Sequence, residues 1–474
     1  MAATTGEGVR GRARSTPTVV RAPVDRATAA GGCAVCGYRC RSHSPSDTEA
    51  SMRTELVTED MIAECRELAR LDPAVGVPEL AHGLNRFGWQ VRRERPPQSL
   101  PYFEEAADLW RVLAADGAAA HLASASRAFA SLAQLYSYVH DDERALAARH
   151  QAAAYARRAS PQPADVDTRV LMALASGLAE AGQFAQAATV QREVVDSYRT
   201  AGPQNGPDQS TLIMWAQLYL AIYLDLAGET DASLDVERAI LAQQRHEAET
   251  DPRCLPILAI WTAGSSVWFA ENGHPKIAHG LLRESVAACE QLPSAGSDAN
   301  YQFRRAVQGA LFARSGTRDE RPRAGSSAPV GVAAHARLQP VAGLSLHRWA
   351  FSLRETYHAG LLDIDEAIAA HADRLPPDTD RLAELGTLIR RRAIRASVLF
   401  DLPRHVHDEM TLTLARSVEL ERELHRTAPG PETIRRLVRA LTDQAMGHLA
   451  TGDYATAADD LREALAVHAT ADSA

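Results

Sequence analysis

The sequence predicts an all-α fold, a right-handed solenoid of helical hairpins. Three observations carry this. Alanine, the strongest helix former, makes up nearly a fifth of the 474 residues, and leucine is also abundant. Apolar residues recur at i, i+3, i+4 and i+7, as in Leu171, Leu174, Ala175 and Leu178, while the alternation of a half-buried strand is missing. Finally, turn residues fall at nearly even intervals, near Arg95, His140, Gly182, Gly228, Gly273, Gly316, Gly360, Asp401 and Gly452, spaced by 45, 42, 46, 45, 43, 44, 41 and 51 residues. Such a period is the mark of a repeat array.

The elements follow in order. Residues 1–51 are rich in Gly, Ser, Thr, Pro and Arg without hydrophobic period, and read as a disordered basic tail. No apolar leader opens the chain, and Met52 stands just before the first helical signal, so translation starting at Met52 is a second reading of this end. A helix is predicted over Thr58–Leu71. A helical array then fills 52–316, each unit a helix, a turn and a second helix. Glycine suits the turns because the chain leaves the first helix through a left-handed residue. The unit after Gly316 is damaged: Pro322, Pro329 and Pro340 forbid one continuous helix, so 317–345 reads as a flexible insertion or linker, or as an altered reading frame. The array resumes over 346–474.

Three copies define the unit best: Ala175-Ser-Gly-Leu178-Ala-Glu-Ala-Gly182-Gln-Phe184-Ala-Gln-Ala187, Ala445 to Leu465 around Gly452 and Tyr454, and Phe129 to Tyr136 with Ala145 and Ala152. Small residues sit where the two helices cross, and an aromatic follows the glycine by two. This spacing resembles the tetratricopeptide repeat (TPR) family over about 58–316 and 346–470. The segment from Ala69 to Ala115 is similar to the longer-period repeats in arrays of high-GC Gram-positive bacteria. The resemblance implies a TPR-like superhelix whose first helices line a concave groove. It further implies a non-catalytic scaffold for a protein or peptide. The alternative is a sensor or regulatory arm acting in trans on a separate transcription factor or signalling ATPase.

Composition narrows the classes. Of 51 basic residues only Lys276 is a lysine, so no Gly-Lys phosphate-binding loop and no S-x-x-K motif exists. Net charge is −9, with +3 in residues 1–51 and −12 beyond, which does not suit a nucleic-acid binder. The most apolar stretch, Ile257 to Ala270, is too short for a bilayer span of about 20 residues and reads as a buried helix. These features predict a cytoplasmic protein with reduced cysteines and neither a cofactor nor a membrane partner. Oligomeric state is not written in the sequence.

Four places invite chemistry. Cys33, Cys36, Cys40 and His43 are zinc-type donors, but nothing downstream braces them and no metal is favoured. His405, His407, Asp408 and Glu409 follow Pro403 at a helix start, where acids cap rather than bind metal. The run His274 to His279 reads as an exposed turn. Trp215, Trp261, Trp268 and Trp349 read as core. Counting back 13, 10 and 6 residues from each turn gives the inward positions of the first helices. These hold Arg127, Ala130 and Gln134, then Arg169, Met172 and Ser176. Later units give His347, Ala350 and Arg354; Leu388, Arg391 and Arg395; and Arg439, Thr442 and Met446. Guanidinium groups fork onto carboxylates and phosphates. The candidate peptide-binding set is therefore Arg127, Gln134, Arg169, His347, Arg354, Arg391, Arg395 and Arg439. No catalytic residue is proposed.

Overall fold

The structure is a computed structural model that describes residues 57–92, 96–139, 141–160, 162, 166–200, 207–293, 301, 304–305, 307–309, 311–312, 361–362, 364–371, 378–397 and 404–471. The basic tail with its four zinc-type donors, the 317–345 segment, His347, Trp349 and Arg354 lie outside the described residues.

The described residues are helical, without a strand. In chain order the helices are α1 (Glu59–Leu71), α2 (Pro73–Arg92), α3 (Pro96–Leu113), α4 (Ala119–Tyr138), α5 (Asp142–Ala159), α6 (Thr168–Glu180), α7 (Phe184–Thr200), α8 (Pro207–Leu226), α9 (Thr230–Thr250), α10 (Leu255–Glu271), α11 (Pro275–Glu290), α12 (Thr379–Ser397), α13 (Arg404–Thr427), α14 (Pro431–Thr451) and α15 (Tyr454–Ala471). From α2 to α11, and again from α12 to α15, consecutive helices pair as antiparallel hairpins, giving the helical-hairpin solenoid expected from the period.

The turns explain the period. Gly182, Gly228, Gly273 and Gly452 all take positive φ, between 76° and 87°. After each, the following N–H reaches back to a carbonyl five residues earlier: Gln183 to Leu178, Glu229 to Leu224, His274 to Phe269 and Asp453 to His448, at 2.8–2.9 Å. The α4–α5 turn makes the same bond from Asp141 to Tyr136 at 2.9 Å. Each turn thus closes the open carbonyls of a first helix and reverses the chain in the same way.

Successive hairpins join by packing the second helix of one on the first helix of the next: α3 on α4, α5 on α6, α7 on α8, α9 on α10. One continuous apolar core runs through these junctions, from Phe103 and Trp110 to Leu461 and Ala464. An ion-pair ladder links successive second helices: Arg157–Glu193 (3.0 Å), Arg245–Glu284 (2.7 Å) and Arg422–Glu463 (2.6 Å), with Arg66–Glu105 (2.6 Å) tying α1 to α3 in the same way. Their sequence separations of 36, 39, 41 and 39 residues follow the repeat.

One junction departs from this pattern. The last hairpin, α14–α15, packs on α10–α11 with first helix on first helix and second on second. Arg462 of α15 pairs with Glu290 of α11 at 2.9 Å, and Arg439 of α14 with Glu271 of α10 at 3.5 Å. Residues of 301–312 wedge into this junction: Arg304 Nε donates to the Ala450 carbonyl at 3.2 Å, and Val307, Leu311 and Phe312 are buried.

This explains α10. Pro252–Glu271 is long and apolar enough to cross a membrane by length and composition, yet 67% of its 18-residue apolar window is buried inside the array. Every residue from Ile257 to Phe269 is buried, with Trp261 and Trp268 among the largest core side chains and Trp215 buried on α8, as read from the sequence. The carboxylate of Glu237 on α9, fully buried, accepts from Trp261 Nε1 (3.1 Å) and from the Ser265 hydroxyl, so these two polar tips of α10 are satisfied within the core.

Candidate functional site

The site is an open groove of about 770 Å³ on the inner side of α2, α4 and α6. Its walls carry Arg92 and Asn85 from α2, Arg127, Gln134 and Tyr138 from α4, and Arg169 and Ser176 from α6, with Asp167 at the α6 N-terminus. Small residues line the floor (Ala130, Ser131, Ala133 and Ala173), so backbone and polar tips are reachable between the helices.

Three of the candidate residues read from the sequence come together here. Arg127, Gln134 and Arg169 share this groove, and all three are exposed. Of the other candidates among the described residues, Arg391 and Arg439 do not line it. Arg439 lies on α14 and pairs with Glu271. Arg391 is half-buried on α12, and Arg395 follows it on that helix. Position 388, in the same register, is a buried leucine in a small core with Ile364 and Ile389.

The groove also holds two arginines that the register does not give. Arg92, at the C-terminus of α2, lies 4.6 Å from the Trp89 ring and 5.3 Å from the Tyr138 ring. Burial pulls its guanidinium below the ordinary arginine range. Arg149 comes from a second helix, α5. It crosses into the groove over Gly177, where a Cβ would meet its Nη1 at 2.3 Å, and donates to Ser137 Oγ at 2.9 Å. Only Gly177 announces that reach in the sequence.

The electrostatics are one-sided. Among the described residues that line the groove, four arginines stand beside one carboxylate, Asp167, which caps α6 by accepting from the Arg169 N–H at 3.0 Å and pairs with the Arg169 side chain at 3.1 Å. This pairing raises Arg169 further above its ordinary value. Arg127 donates to Ser124 Oγ at 3.3 Å. Two buried polar atoms in the lining have no protein partner, Asn85 Oδ1 and Ser176 Oγ. Ser176 is 5% exposed. Buried acceptors are rarely left open unless something fills them.

The other candidate places resolve structurally. Residues 404–408 open α13, and Glu409 pairs with Arg392 at 3.0 Å. The sequence reading of 274–279 as an exposed turn is corrected: α11 already begins at Pro275, where Pro275 and Lys276 are exposed, while His279 is half-buried inside the helix with its ring 5.4 Å from that of His468 on α15. Cys65 and Cys254 are half-buried thiols. Cys289 is buried, which pushes it up to about 12. Among the described residues no group of three or more His, Cys, Asp or Glu is placed to hold a metal ion.

No family model and no curated protein matches the chain. Solved structures do. A Naa15/Naa10 assembly bound to HypK-THB aligns over 86% of this chain at 15% identity and a TM-score of 0.31, and the match spans 60% of that chain. A Rap protein complexed with a competence and sporulation factor aligns over 81% of this chain and 98% of its own at 12% identity and a TM-score of 0.28. Yeast Tom70 aligns over 83% and 96% at 12% identity and a TM-score of 0.24. The class of the molecule, an all-helical hairpin-repeat solenoid of TPR-like kind, rests on its own turns and junctions.

Proposed function

We propose that the chain is a non-catalytic scaffold that holds an acidic stretch of a protein or peptide in the α2–α4–α6 groove. The observation that carries this is the composition of the lining: among the described residues it holds Arg92, Arg127, Arg149 and Arg169 with one carboxylate, Asp167, in a chain of net charge −9. A concave face with excess guanidinium attracts carboxylates and binds them bidentately at short range. The small floor residues leave room for an extended backbone, and the open acceptors suit amide donors.

Affinity purification with mass spectrometry tests the reading. Partner recovery is expected to fall at least tenfold in the Arg127→Ala/Arg169→Ala double variant and to weaken with rising salt. Arg391→Ala, outside the groove, is expected to leave recovery unchanged. Equal recovery with wild type and the groove variant would remove the proposal. A transcription factor or ATPase as the captured partner would make the scaffold a sensor arm acting in trans.

A further inference from the structure

A second, smaller cavity of about 130 Å³ opens beside the groove. Its walls are His82, Trp110, Ser124 and Ala128, and it shares Asn85 and Arg127 with the groove. Its shape is held firmly. The Trp110 indole is buried and packs edge-on against the His82 ring at 4.8 Å, with the His121 ring 6.2 Å away. His121 is fixed in turn by Asp116, Nδ1 to Oδ2 at 2.9 Å.

The chemistry of this pocket differs from that of the groove. Burial, reinforced by the charge of Arg127 against an opposing pull from Glu79, lowers His82 below the ordinary imidazole range. The pocket presents an imidazole, an indole, the Ala128 methyl and the Ser124 hydroxyl, with the Arg127 guanidinium at its mouth. Apolar cavities of about 150 Å³ accept a benzene ring, so 130 Å³ suits a somewhat smaller group, the branched side chain of leucine or isoleucine.

We propose that the groove recognises two adjoining features of a peptide: an acidic side chain on Arg127, and beside it a bulky apolar side chain seated in the pocket against Trp110 and His82. Asn85 Oδ1, shared by both cavities and without a protein partner, accepts a backbone N–H of the peptide between the two. The inference rests on the groove being a peptide site.

Selection from a displayed library of random heptapeptides on the full chain tests it. Wild type is expected to enrich Asp or Glu within two residues of Leu or Ile. Ala128→Leu fills the pocket and is expected to lose the apolar preference, by about 10- to 100-fold for one such side chain, while keeping the acidic one. Arg127→Ala is expected to do the reverse. His82→Ala widens the pocket and is expected to shift the preference toward larger aromatics, which keeps the test informative if Ala128→Leu fails a thermal-melt check of folding. Peptides enriched for acids alone, or an unchanged selection with both pocket variants, would overturn the pocket while leaving the groove intact. No enrichment over the Arg127→Ala/Arg169→Ala variant would overturn both. Displacement of selected peptides by short single-stranded RNA would assign the groove to polyanions and overturn the peptide assignment.

Discussion

The inner register of the array has opposite fates in two regions. In α4 and α6 it holds Arg127, Ala130, Gln134, Arg169, Met172 and Ser176, of which all but Met172, packed against the core, line the open groove. In α8 and α10 the same count-back gives Trp215, Leu218 and Ile222, then Ile260, Ala263 and Val267, and all six are buried. Around α10 the last hairpin and residues of 301–312 close over the face that α2, α4 and α6 leave open. Arginine follows the same division. Among the described residues lining the groove, four arginines stand beside one acid. In the far region Arg390 is buried against Asp443 at 2.6 Å, and Arg436 against Glu421 at 2.6 Å. Repeat position thus decides which way a side chain points. Whether it binds a ligand or the rest of the chain depends on what covers that face.

The largest test of this contrast removes a buried partner. Asp443→Ala removes the carboxylate that the buried Arg390 Nε donates to, and the expected loss is about 3–5 kcal/mol in chemical denaturation. Replacing both, Arg390→Met with Asp443→Leu, is expected to recover most of it, because no uncompensated charge remains. Arg127→Ala in the open groove is expected to change stability by less than about 0.5 kcal/mol. A loss at Arg127 as large as that at Asp443 would mean that the groove arginines are structural as well.

Next in size is a break confined to the open end. A Cβ on Gly76 would lie 2.2 Å from the Ala69 backbone, where α1 and α2 meet. Gly76→Ala must therefore push the two helices apart, at about 1–3 kcal/mol for an overpacked site. In an array, neighbours share stability only across their junctions. Hydrogen exchange is expected to show lost protection in α1 and α2 and unchanged protection in α10. Equal loss at α10 would show that the two regions melt as one unit.

Much of this contrast was legible, and the exceptions have physical reasons. The glycine turns were readable because a left-handed residue is needed at a fixed place in each hairpin. Arg127, Gln134 and Arg169 were readable from register alone. The same count-back from Arg95 gives His82, Asn85 and Trp89, the first two of which line the cavities, but that turn carries no glycine to flag it. Arg149 escapes any first-helix rule because it enters from α5 over Gly177. The docking of α14–α15 on α10–α11 was not legible, because the alanines and leucines of one seam resemble those of every other. Arg390, one position off register, looked no different from Arg391.

The closed region also carries a pH signature that the groove lacks. Asp460 on α15 is buried, its Oδ2 has no hydrogen-bond partner, and burial raises it to about 7, against a partial pull from Arg422. His448 Nε2 lies 3.7 Å away, and burial lowers that imidazole. A carboxyl with a raised folded value stabilises the fold fully below its unfolded value of about 4 and loses that contribution as pH rises toward 7. Asp460→Asn cannot ionise. The melting-temperature advantage of the variant over wild type is therefore expected to be larger at pH 8 than at pH 5. A gap that is constant with pH would place the Asp460 charge in contact with solvent.

The smallest effect belongs to a feature the two regions share. The Arg–Glu ladder runs through both, and its pairs are well exposed; the side chains of Arg245 and Glu284 are 43% and 27% accessible. The guanidinium is forked onto the carboxylate at 2.7 Å by two nitrogens, the best geometry such a pair can have. Solvent screens it all the same, and ordering two long side chains opposes the Coulomb gain, so Arg245→Ala is expected to cost no more than about 1 kcal/mol. That cost should shrink further in 1 M salt, where the screening length falls to about 3 Å. Urea titrations at low and high salt measure both. A loss as large as that of Asp443→Ala, insensitive to salt, would mean that the outer ladder holds the hairpins in register. The difference between the regions would then lie in the pairing of second helices as well as in what covers the first.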